Sequence, residues 1–369
     1  MIITCIIPGL LLLILVIGRI NLSFQFRKDL KEPVGPMDSL KHLSLHFIKV
    51  IGLVAVTVST MGTFSCSSPS MSSKKQNLKK DGMVIRELTI DANGADLYCK
   101  IIGNSRPVLF IHGGPGLVHN YFLPYMERLL PFGYQLIFYD QRGNGKSTVY
   151  NLDSIKLDLF VEDIERIRER LGIDKLVLFS HSSGGYLTYL YALKYPQHVN
   201  AIICCDNGPL TDKGFQEFSS NSKRQMEQID INAIRALPGM SEAAKDMDDG
   251  SLKVMANRFY DKTKVADFII NSRTDLMNDE KGQEIRNRLY REMNESLFNH
   301  KKYEKPKVKA LLIHGAEDPI PLWTAEQWAN ILDARLVVIS KSNHFPFVEK
   351  TKEVSDVINE FLNEKQKSL

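Results

Sequence analysis

The feature that most constrains the fold of this 369-residue sequence is a series of short apolar runs separated by helical patterns. The runs are nearly continuous, and each ends beside a small, acidic or histidine residue. Runs of this length are typical of strands buried on both faces of a parallel sheet. We therefore predict an α/β fold, a mostly parallel doubly wound sheet with right-handed crossovers. The predicted strands are at 108–111, 135–139, 176–179, 199–205, 310–313 and 336–339.

Two other patterns complete the predicted folded part. The stretches 84–91 and 97–102 flank Asn93-Gly94, a strong signal for a β-hairpin. An apolar stripe predicts an amphipathic helix at 160–171, with Asp163 among the residues on its polar side, and another stripe predicts a helix at 354–361.

One interval interrupts the alternation of strands and helices. Residues 208–303 contain no convincing buried strand, are rich in charge and Met, and include a helical stretch at 282–298. We predict a helical cap inserted into an α/β core of 83–207 and 304–369, above the carboxyl ends of the strands, where it would cover a crevice. The alternative is a helical layer with a purely structural role.

The N-terminal part has a different character. Apolar stretches cover 2–18 and 47–64, and the second follows basic residues and precedes Cys66. This order resembles a bacterial lipoprotein signal within 1–66, with Cys66 as the lipidated residue. The alternatives are two membrane helices, or an anchor formed by 2–18 alone. Each places the protein at a membrane, and the first favours a cell-envelope lipoprotein facing the periplasm or exterior, with 67–82 as a flexible linker.

Composition argues against several kinds of partner. The net charge is +4, and no Lys/Arg-rich run is interleaved with aromatic residues, so nucleic acid binding has little support. The five cysteines show no zinc-binding spacing, so we expect neither a metal nor a disulfide framework. The first predicted parallel strand is not followed by a phosphate-binding glycine loop, and we expect no cofactor. The sequence leaves the oligomeric state open.

Ser182 lies in a turn that suits a nucleophile. The segment Ser180-His181-Ser182-Ser183-Gly184-Gly185 follows one apolar run and precedes a predicted amphipathic helix at 186–195. Small residues around Ser182 would lift its hydroxyl clear of the backbone, with the next N–H directed at developing charge. Position 180 is Ser where the G-x-S-x-G pattern has Gly. Taken alone, the segment also fits an ordinary turn with an N-capping serine.

Three further sites follow predicted strands. The H-G-G-P-G segment at 112–116 could supply a backbone amide that pairs with the Ser183 amide as an oxyanion hole. Asp318 could orient a histidine, with Glu317 as its competitor. His344 is the natural general base. The order Ser182, Asp318, His344 is the one expected for an α/β-hydrolase.

The nearby histidines are expected to have other roles. His181 shares the turn of Ser182 and is expected to point away from the nucleophile. His112 and His314 lie beside glycines and are expected to be structural.

Two motifs carry a family resemblance. H-G-G-P-G at 112–116 and D-Q-R-G-N-G-K-S at 140–147 resemble the proline iminopeptidase branch of the α/β-hydrolases, over about 84–364. The resemblance implies that Ser182 is the nucleophile, Asp318 the acid and His344 the base. It also implies that the amides of Gly114 and Ser183 form the oxyanion hole. Asp140 and Arg142 would be a pair that braces the neighbouring loop.

The family also implies a substrate. Its members bind the free amino group of a peptide through acidic cap residues, for which Glu217, Glu227 and Glu242 are candidates that the sequence alone does not separate. The expected function is release of an N-terminal residue from small peptides by a serine hydrolase. The alternatives are an esterase or amidase of small acyl substrates, and a non-catalytic, membrane-tethered binding protein.

Overall fold

The computed structural model describes residues 76–80, 83–272, 280–298, 300 and 302–364. The apolar stretches at 2–18 and 47–64, the lipidation prediction at Cys66 and the first part of the predicted linker lie outside these ranges. No helix in the described ranges is long and apolar enough to cross a membrane.

The centre of the fold is a ten-stranded mixed sheet. Its strands are β1 (Gln76–Lys80), β2 (Met83–Ala92), β3 (Ala95–Ile102), β4 (Arg106–Ile111), β5 (Tyr134–Tyr139), β6 (Thr148–Val149), β7 (Leu176–His181), β8 (Val199–Cys205), β9 (Lys309–Gly315) and β10 (Arg335–Ile339). The order is β1-β2-β3-β5-β4-β7-β8-β9-β10, and β6 pairs with β3. Strands from β5 to β10 along this order are parallel, and the β1, β2 and β3 end is antiparallel. The predicted α/β sheet and hairpin are confirmed.

Helices pack on both faces of the sheet. They are α1 (Leu157–Leu171), α2 (Gly184–Lys194), α3 (Asp212–Glu227), α4 (Ile231–Arg235), α5 (Met240–Ala243), α6 (Asp249–Ala256), α7 (Val265–Ser272), α8 (Glu280–Ser296), α9 (Leu322–Leu332), α10 (Pro346–Glu349) and α11 (Thr351–Asn363). Helices α1, α2, α8 and α9 contribute to one apolar core. Helices α4, α6, α7 and α11 contribute to the other.

Side-chain alternation along β8 shows how the two cores are separated. Cys204 is buried in one core and Cys205 in the other, as expected for adjacent residues of a strand. Both are free thiols. Between β8 and β9 the regular elements are helices α3 to α8 and one short 3-10 turn, within the part of the chain that the structure describes.

The structure corrects two expectations about single elements. The predicted flexible linker at 67–82 is wrong at Gln76–Lys80, because this segment pairs antiparallel with β2, and backbone hydrogen bonds at a sheet edge need no apolar period. Helix α2 is not amphipathic. Most of its residues are buried, since its outer side is covered by Trp328 and Phe298, whose rings lie 5.9 and 5.1 Å from that of Tyr186.

The register of the parallel strands brings their carboxyl ends level. Ile111 pairs with Ser180, His181 with Cys205, and Cys205 with Ile313. The residues that follow these strands therefore meet at one edge of the sheet, which is where open α/β sheets bind ligands.

Candidate active site

Ser182 occupies a strained turn between β7 and α2. Its φ is 53°, a left-handed conformation that non-glycine residues rarely adopt. The Ser182 amide donates to the carbonyl oxygen of Cys205 at 2.9 Å, which fixes the turn against β8. A Cβ on Gly184 would lie 2.5 Å from the carbonyl oxygen of Ile111, so only glycine fits where this turn passes β4.

Ser180 fits in place of the usual glycine. Its hydroxyl lies 3.5 Å from both the carbonyl oxygen of Ile203 and the Sγ of Cys204. The side chain is fully buried between β7 and β8. Serine is thus small enough at this position to leave the turn of Ser182 intact.

His344 and Asp318 form a buried pair. Nδ1 of His344 lies 2.7 Å from Oδ2 of Asp318, and the other carboxylate oxygen accepts a 2.8 Å hydrogen bond from the amide of Ile320. Burial alone would raise the pKa of the Asp318 carboxyl, but the charge and hydrogen bond of His344 lower it well below its ordinary value. Asp318 is therefore ionised at neutral pH. Glu317, its competitor in the sequence, is exposed.

The loop that carries His344 is held from several sides. Oδ1 of Asn343 accepts from the His344 amide at 2.8 Å, and Nδ2 of Asn343 donates to the carbonyl oxygen of Asn257. The carboxylate of Glu349 accepts from the Asn343 amide at 2.7 Å. A Cβ on Gly315 would lie 2.0 Å from the Asn343 carbonyl oxygen, so glycine permits the close approach. These contacts leave the imidazole of His344 little freedom.

A second buried carboxylate, Asp206, lies near this pair. It follows β8 with a φ of 48°, and its Oδ1 accepts from the Gly315 amide at 2.9 Å and lies 3.0 Å from Nδ1 of His314. Burial lowers the pKa of His314, but the adjacent Asp206 outweighs that effect and raises it. His314 does not line the cavity that contains Ser182, and its structural role stays a prediction.

Together with Asp318, these side chains have the spacing of possible metal ligands. Ligand atoms of Asp206, His314 and Asp318 lie within 4.8 Å of one another. A metal ion here would compete with the Gly315 amide for Asp206, and with His344 and the Ile320 amide for Asp318.

The Ser182 turn, the glycine loop and the His344 loop meet at one cavity of about 290 Å³. Ser182, Ser183, Gly114 and His344 all line it. The structure therefore brings together every residue predicted for the nucleophile, the base and the oxyanion hole, with Asp318 directly behind His344. Apolar side chains make up much of the remaining lining, among them Phe215, Phe218, Phe268, Ile320 and Phe345.

His181 does not point away from this cavity as expected. Its ring centroid lies 4.7 Å from that of His344, and its Nε2 donates to the carbonyl oxygen of His344 at 2.8 Å. Nδ1 lies 3.0 Å from the hydroxyl of Tyr121. Burial lowers the pKa of His181 well below its usual value, so the ring is neutral. These hydrogen bonds hold the His181 ring against the His344 loop, which it supports.

Asp140 and Arg142 do not form the pair that was expected. The Arg142 guanidinium donates from Nε and Nη2 to the carboxylate of Asp163, at 2.8 and 2.5 Å. Asp140 accepts instead from the amide and Nδ1 of His119, at 3.0 and 2.7 Å. Asp163 is therefore buried in an ion pair, and not on a polar face of α1. Asp140 and Arg142 both brace the loop after β5, as predicted, but they do so through His119 and Asp163 and not through each other.

The three candidate cap acids lie away from the cavity. Glu217 accepts from the indole N–H of Trp323 at 2.7 Å, and Glu242 lies 3.8 Å from the ammonium of Lys245. Glu227 is exposed at the end of α3. None of the three is among the cavity-lining residues.

Sequence reasoning missed the polar residues that the cap does contribute. Arg258, Arg286 and Tyr290 line the cavity, and the Tyr290 hydroxyl donates to the carbonyl oxygen of Gly114 at 3.3 Å. The spacing of Arg286 and Tyr290, four residues apart on α8, was the available signal, since such residues share one helix face.

Comparison with known proteins identifies the family. Residues 106–351 match the family model for the alpha/beta hydrolase fold, which is most of the chain. The chain therefore belongs to the alpha/beta hydrolases.

Its sequence relatives place it in the proline iminopeptidase-like branch, as predicted. It is 26% identical over 299 residues to a proline iminopeptidase of Saccharolobus solfataricus, covering 73% of this chain and 90% of the relative. A second one, from Lactobacillus delbrueckii subsp. bulgaricus, is 34% identical over 128 residues, covering 33% of this chain and 43% of the relative.

Solved structures share the fold at low identity. The 2-hydroxy-6-oxo-6-phenylhexa-2,4-dienoate hydrolase of Rhodococcus sp. strain RHA1 superposes with a TM-score of 0.58 at 18% identity, covering 76% of this chain and all of that one. The proline iminopeptidase of Mycobacterium smegmatis gives 0.52 at 20%, covering 75% and 97%. Likenesses at this level establish the fold and no particular substrate.

Proposed function

We propose that the protein is a serine hydrolase that uses Ser182 as nucleophile, His344 as general base and Asp318 as the acid that orients His344. The observation that supports this most is the geometry of the cavity. Ser182 lines it from a left-handed turn, and His344 lines it with Nδ1 2.7 Å from the Asp318 carboxylate. A nucleophile, a base and an orienting carboxylate in this arrangement are the parts of a catalytic triad.

The proposed reaction is acyl transfer to water. Nδ1–H of His344 donates to Asp318, which leaves Nε2 to accept the Ser182 proton as Oγ attacks a substrate carbonyl. The amides of Gly114 and Ser183 stabilise the oxyanion. His344 then protonates the leaving group, and water activated by His344 hydrolyses the acyl-enzyme and restores Ser182.

Labelling with a fluorophosphonate probe tests this mechanism without knowledge of the substrate. The wild-type protein should be labelled, and Ser182→Ala should abolish labelling. Ser219→Ala is the matched control, because Ser219 is exposed on α3. Absence of labelling in a folded wild-type protein would instead favour a non-catalytic binding protein.

The first substrate class that we propose is small peptides with N-terminal proline. The support is the similarity in sequence to proline iminopeptidases. Wild-type protein should release the arylamine from a prolyl arylamide. Turnover of short acyl esters with no turnover of the arylamide would reject the peptidase proposal and leave the serine hydrolase proposal standing.

The second candidate is an esterase or amidase of small acyl substrates. One observation favours it. Within the described ranges, no Asp or Glu lines the cavity, whereas an aminopeptidase needs an acceptor for the substrate ammonium group. The comparison of ester and arylamide turnover decides between the two candidates.

The cellular location is a separate proposal. The basic residues, the apolar stretch at 47–64 and Cys66 favour lipidation at the cell envelope. In the host cell, Cys66→Ser should move the protein from the membrane fraction to the soluble fraction. Recovery of the wild-type protein in the soluble fraction would contradict this proposal.

A further inference from the structure

The two permanently charged side chains that line the cavity are both positive. Arg258 enters it from the end of α6 and Arg286 from α8, and no carboxylate of the described residues lines the same space. His181 and His344 are the other titratable lining residues besides tyrosines. A cavity with two guanidinium groups and no counter-charge in its lining attracts anions and repels ammonium groups.

The two arginines differ from most other buried or half-buried arginines in the described ranges. Arg142, Arg168 and Arg288 each lie within ion-pair distance of a carboxylate. Among the ion pairs of the described residues, none includes Arg258 or Arg286. Within the described ranges, both guanidinium groups therefore lack a carboxylate partner.

The environment of Arg286 points to a missing acceptor. Its Nη1 is buried and has no hydrogen-bond partner among the described atoms. A Cβ on Gly116 would lie 2.9 Å from this nitrogen, so the guanidinium rests on the glycine loop that also contains Gly114. A buried N–H without an acceptor is costly, and a ligand oxygen would relieve that cost.

Arg258 lies beside the His344 loop. Its carbonyl oxygen accepts from the His344 amide at 3.1 Å, and its guanidinium carbon lies 5.3 Å from the centre of the Phe218 ring. Burial lowers the pKa of Arg258, but an arginine keeps its charge at any physiological pH. Burial raises the pKa of the Tyr290 phenol, and the positive charges of Arg258 and Arg286 oppose that rise.

We propose that Arg258 and Arg286 form a binding subsite for a carboxylate of the substrate, so that the enzyme hydrolyses acyl compounds that carry a free carboxylate. The proposal rests on the proposed serine hydrolase function and narrows its substrate class. A guanidinium matches a carboxylate with two parallel hydrogen bonds, and the apolar walls of the cavity suit the carbon skeleton between the carboxylate and the scissile bond.

The carboxylate can belong to either side of the scissile bond, and two matched substrate pairs separate these cases. The first pair is the 4-nitrophenyl monoester of glutaric acid and 4-nitrophenyl pentanoate, which differ in the acyl part. The second pair is prolyl-alanine and prolyl-alaninamide, which differ in the leaving part. We expect a preference only in the pair whose carboxylate lies on the side of the scissile bond that reaches the arginines. In that pair, kcat/KM should be about 10- to 100-fold higher for the charged member, mainly through a lower KM.

Variants assign the preference to the two arginines. Arg258→Gln and Arg286→Gln should each reduce the charged-to-neutral ratio of kcat/KM by about tenfold or more, whereas Arg291→Gln should keep it. Arg291 is a matched control because it is exposed on α8 and does not line the cavity. A wild-type ratio near one, or below one, in both pairs would overturn the proposal. A ratio that survives both cavity variants would overturn it as well.

A measurement on the wild-type protein covers the case in which a variant does not fold. Glutarate should slow fluorophosphonate labelling of Ser182 at concentrations where the neutral glutaramide does not. Equal protection by both compounds would refute the subsite. Failure of the proposed function is distinguishable, because it would appear as absence of labelling and of turnover with all four substrates.

Discussion

Replacement of Asp318 by asparagine tests which carboxylate supports His344. Asp318→Asn removes a negative charge whose Oδ2 lies 2.7 Å from Nδ1 of the imidazole. At an effective dielectric constant of about 20, Coulomb's law gives roughly 6 kcal/mol between unit charges at that distance. This attraction acts when His344 takes the serine proton and becomes positive. Since about 1.4 kcal/mol is tenfold in rate, we expect acylation of Ser182 to slow by about four orders of magnitude.

Asp206→Asn is the matched control for this change. Asp206 is also fully buried and follows a neighbouring strand, but its Oδ1 lies 3.0 Å from Nδ1 of His314 and not of His344. Its replacement should affect stability more than catalysis. We expect a rate of acylation within about tenfold of wild type.

The assay is the pseudo-first-order rate of labelling by a fluorophosphonate, with thermal unfolding measured for both variants. A thermal midpoint close to wild type shows that the loss of rate is chemical. If Asp206→Asn slows labelling as much as Asp318→Asn, the assignment of the acid is wrong. If Asp318→Asn labels within tenfold of wild type, the electrostatic reasoning itself is wrong.

Three further changes test the packing and charge around the site. Asp163→Asn leaves the always-charged guanidinium of Arg142 buried without a carboxylate, and should lower the free energy of unfolding by about 3–5 kcal/mol in urea denaturation. Gly184→Ala brings Cβ to 2.5 Å from a carbonyl oxygen and should destabilise by about 1–3 kcal/mol in the same assay. Burial raises the pKa of Asp140, but hydrogen bonds from His119 outweigh this and lower it below 3.8. The folded state then binds fewer protons than the unfolded chain, so stability falls as pH drops below about 4, and Asp140→Asn should flatten that decline.

Each of these three predictions has a result that would contradict it. Recovery of most of the lost stability by the double variant Arg142→Met/Asp163→Leu is expected, and a loss below about 1 kcal/mol in Asp163→Asn alone would contradict the buried pair. A Gly184→Ala protein as stable as wild type would show that the turn can shift. An Asp140→Asn protein whose stability falls below pH 4 as steeply as that of wild type would exclude Asp140 as a source of the acid sensitivity.

The residues of the proposed catalytic triad were predictable because their signals are local in the chain. Ser182, Asp318 and His344 each follow a short apolar run, and parallel strands bring their carboxyl ends to one edge whatever the details of packing. The glycines at 113–116 and Gly184 mark close approaches that only glycine permits.

The remaining contacts depend on partners that are distant in sequence. Helical periodicity predicts Asp163 on a polar face, because an isolated helix exposes its charged residues. Only the fold shows that the guanidinium of Arg142, 21 residues earlier, pairs with the Asp163 carboxylate. Periodicity predicted a helix over 282–298 but not that Arg286 and Tyr290 face the glycine loop. The pairing of Gln76–Lys80 with β2 was also hidden, since backbone hydrogen bonds at a sheet edge carry no side-chain signature.

The position of the helices between β8 and β9 has a consequence for how such a protein can change. The chain leaves the sheet after Cys205 and re-enters at Lys309 on the adjacent strand, and these two strands pair directly. The intervening segment can therefore change without altering the ladder on either side. New selectivity could arise within one continuous stretch of gene, provided that the replacement keeps the two backbone carbonyls, of Asn257 and Arg258, that hold the His344 loop.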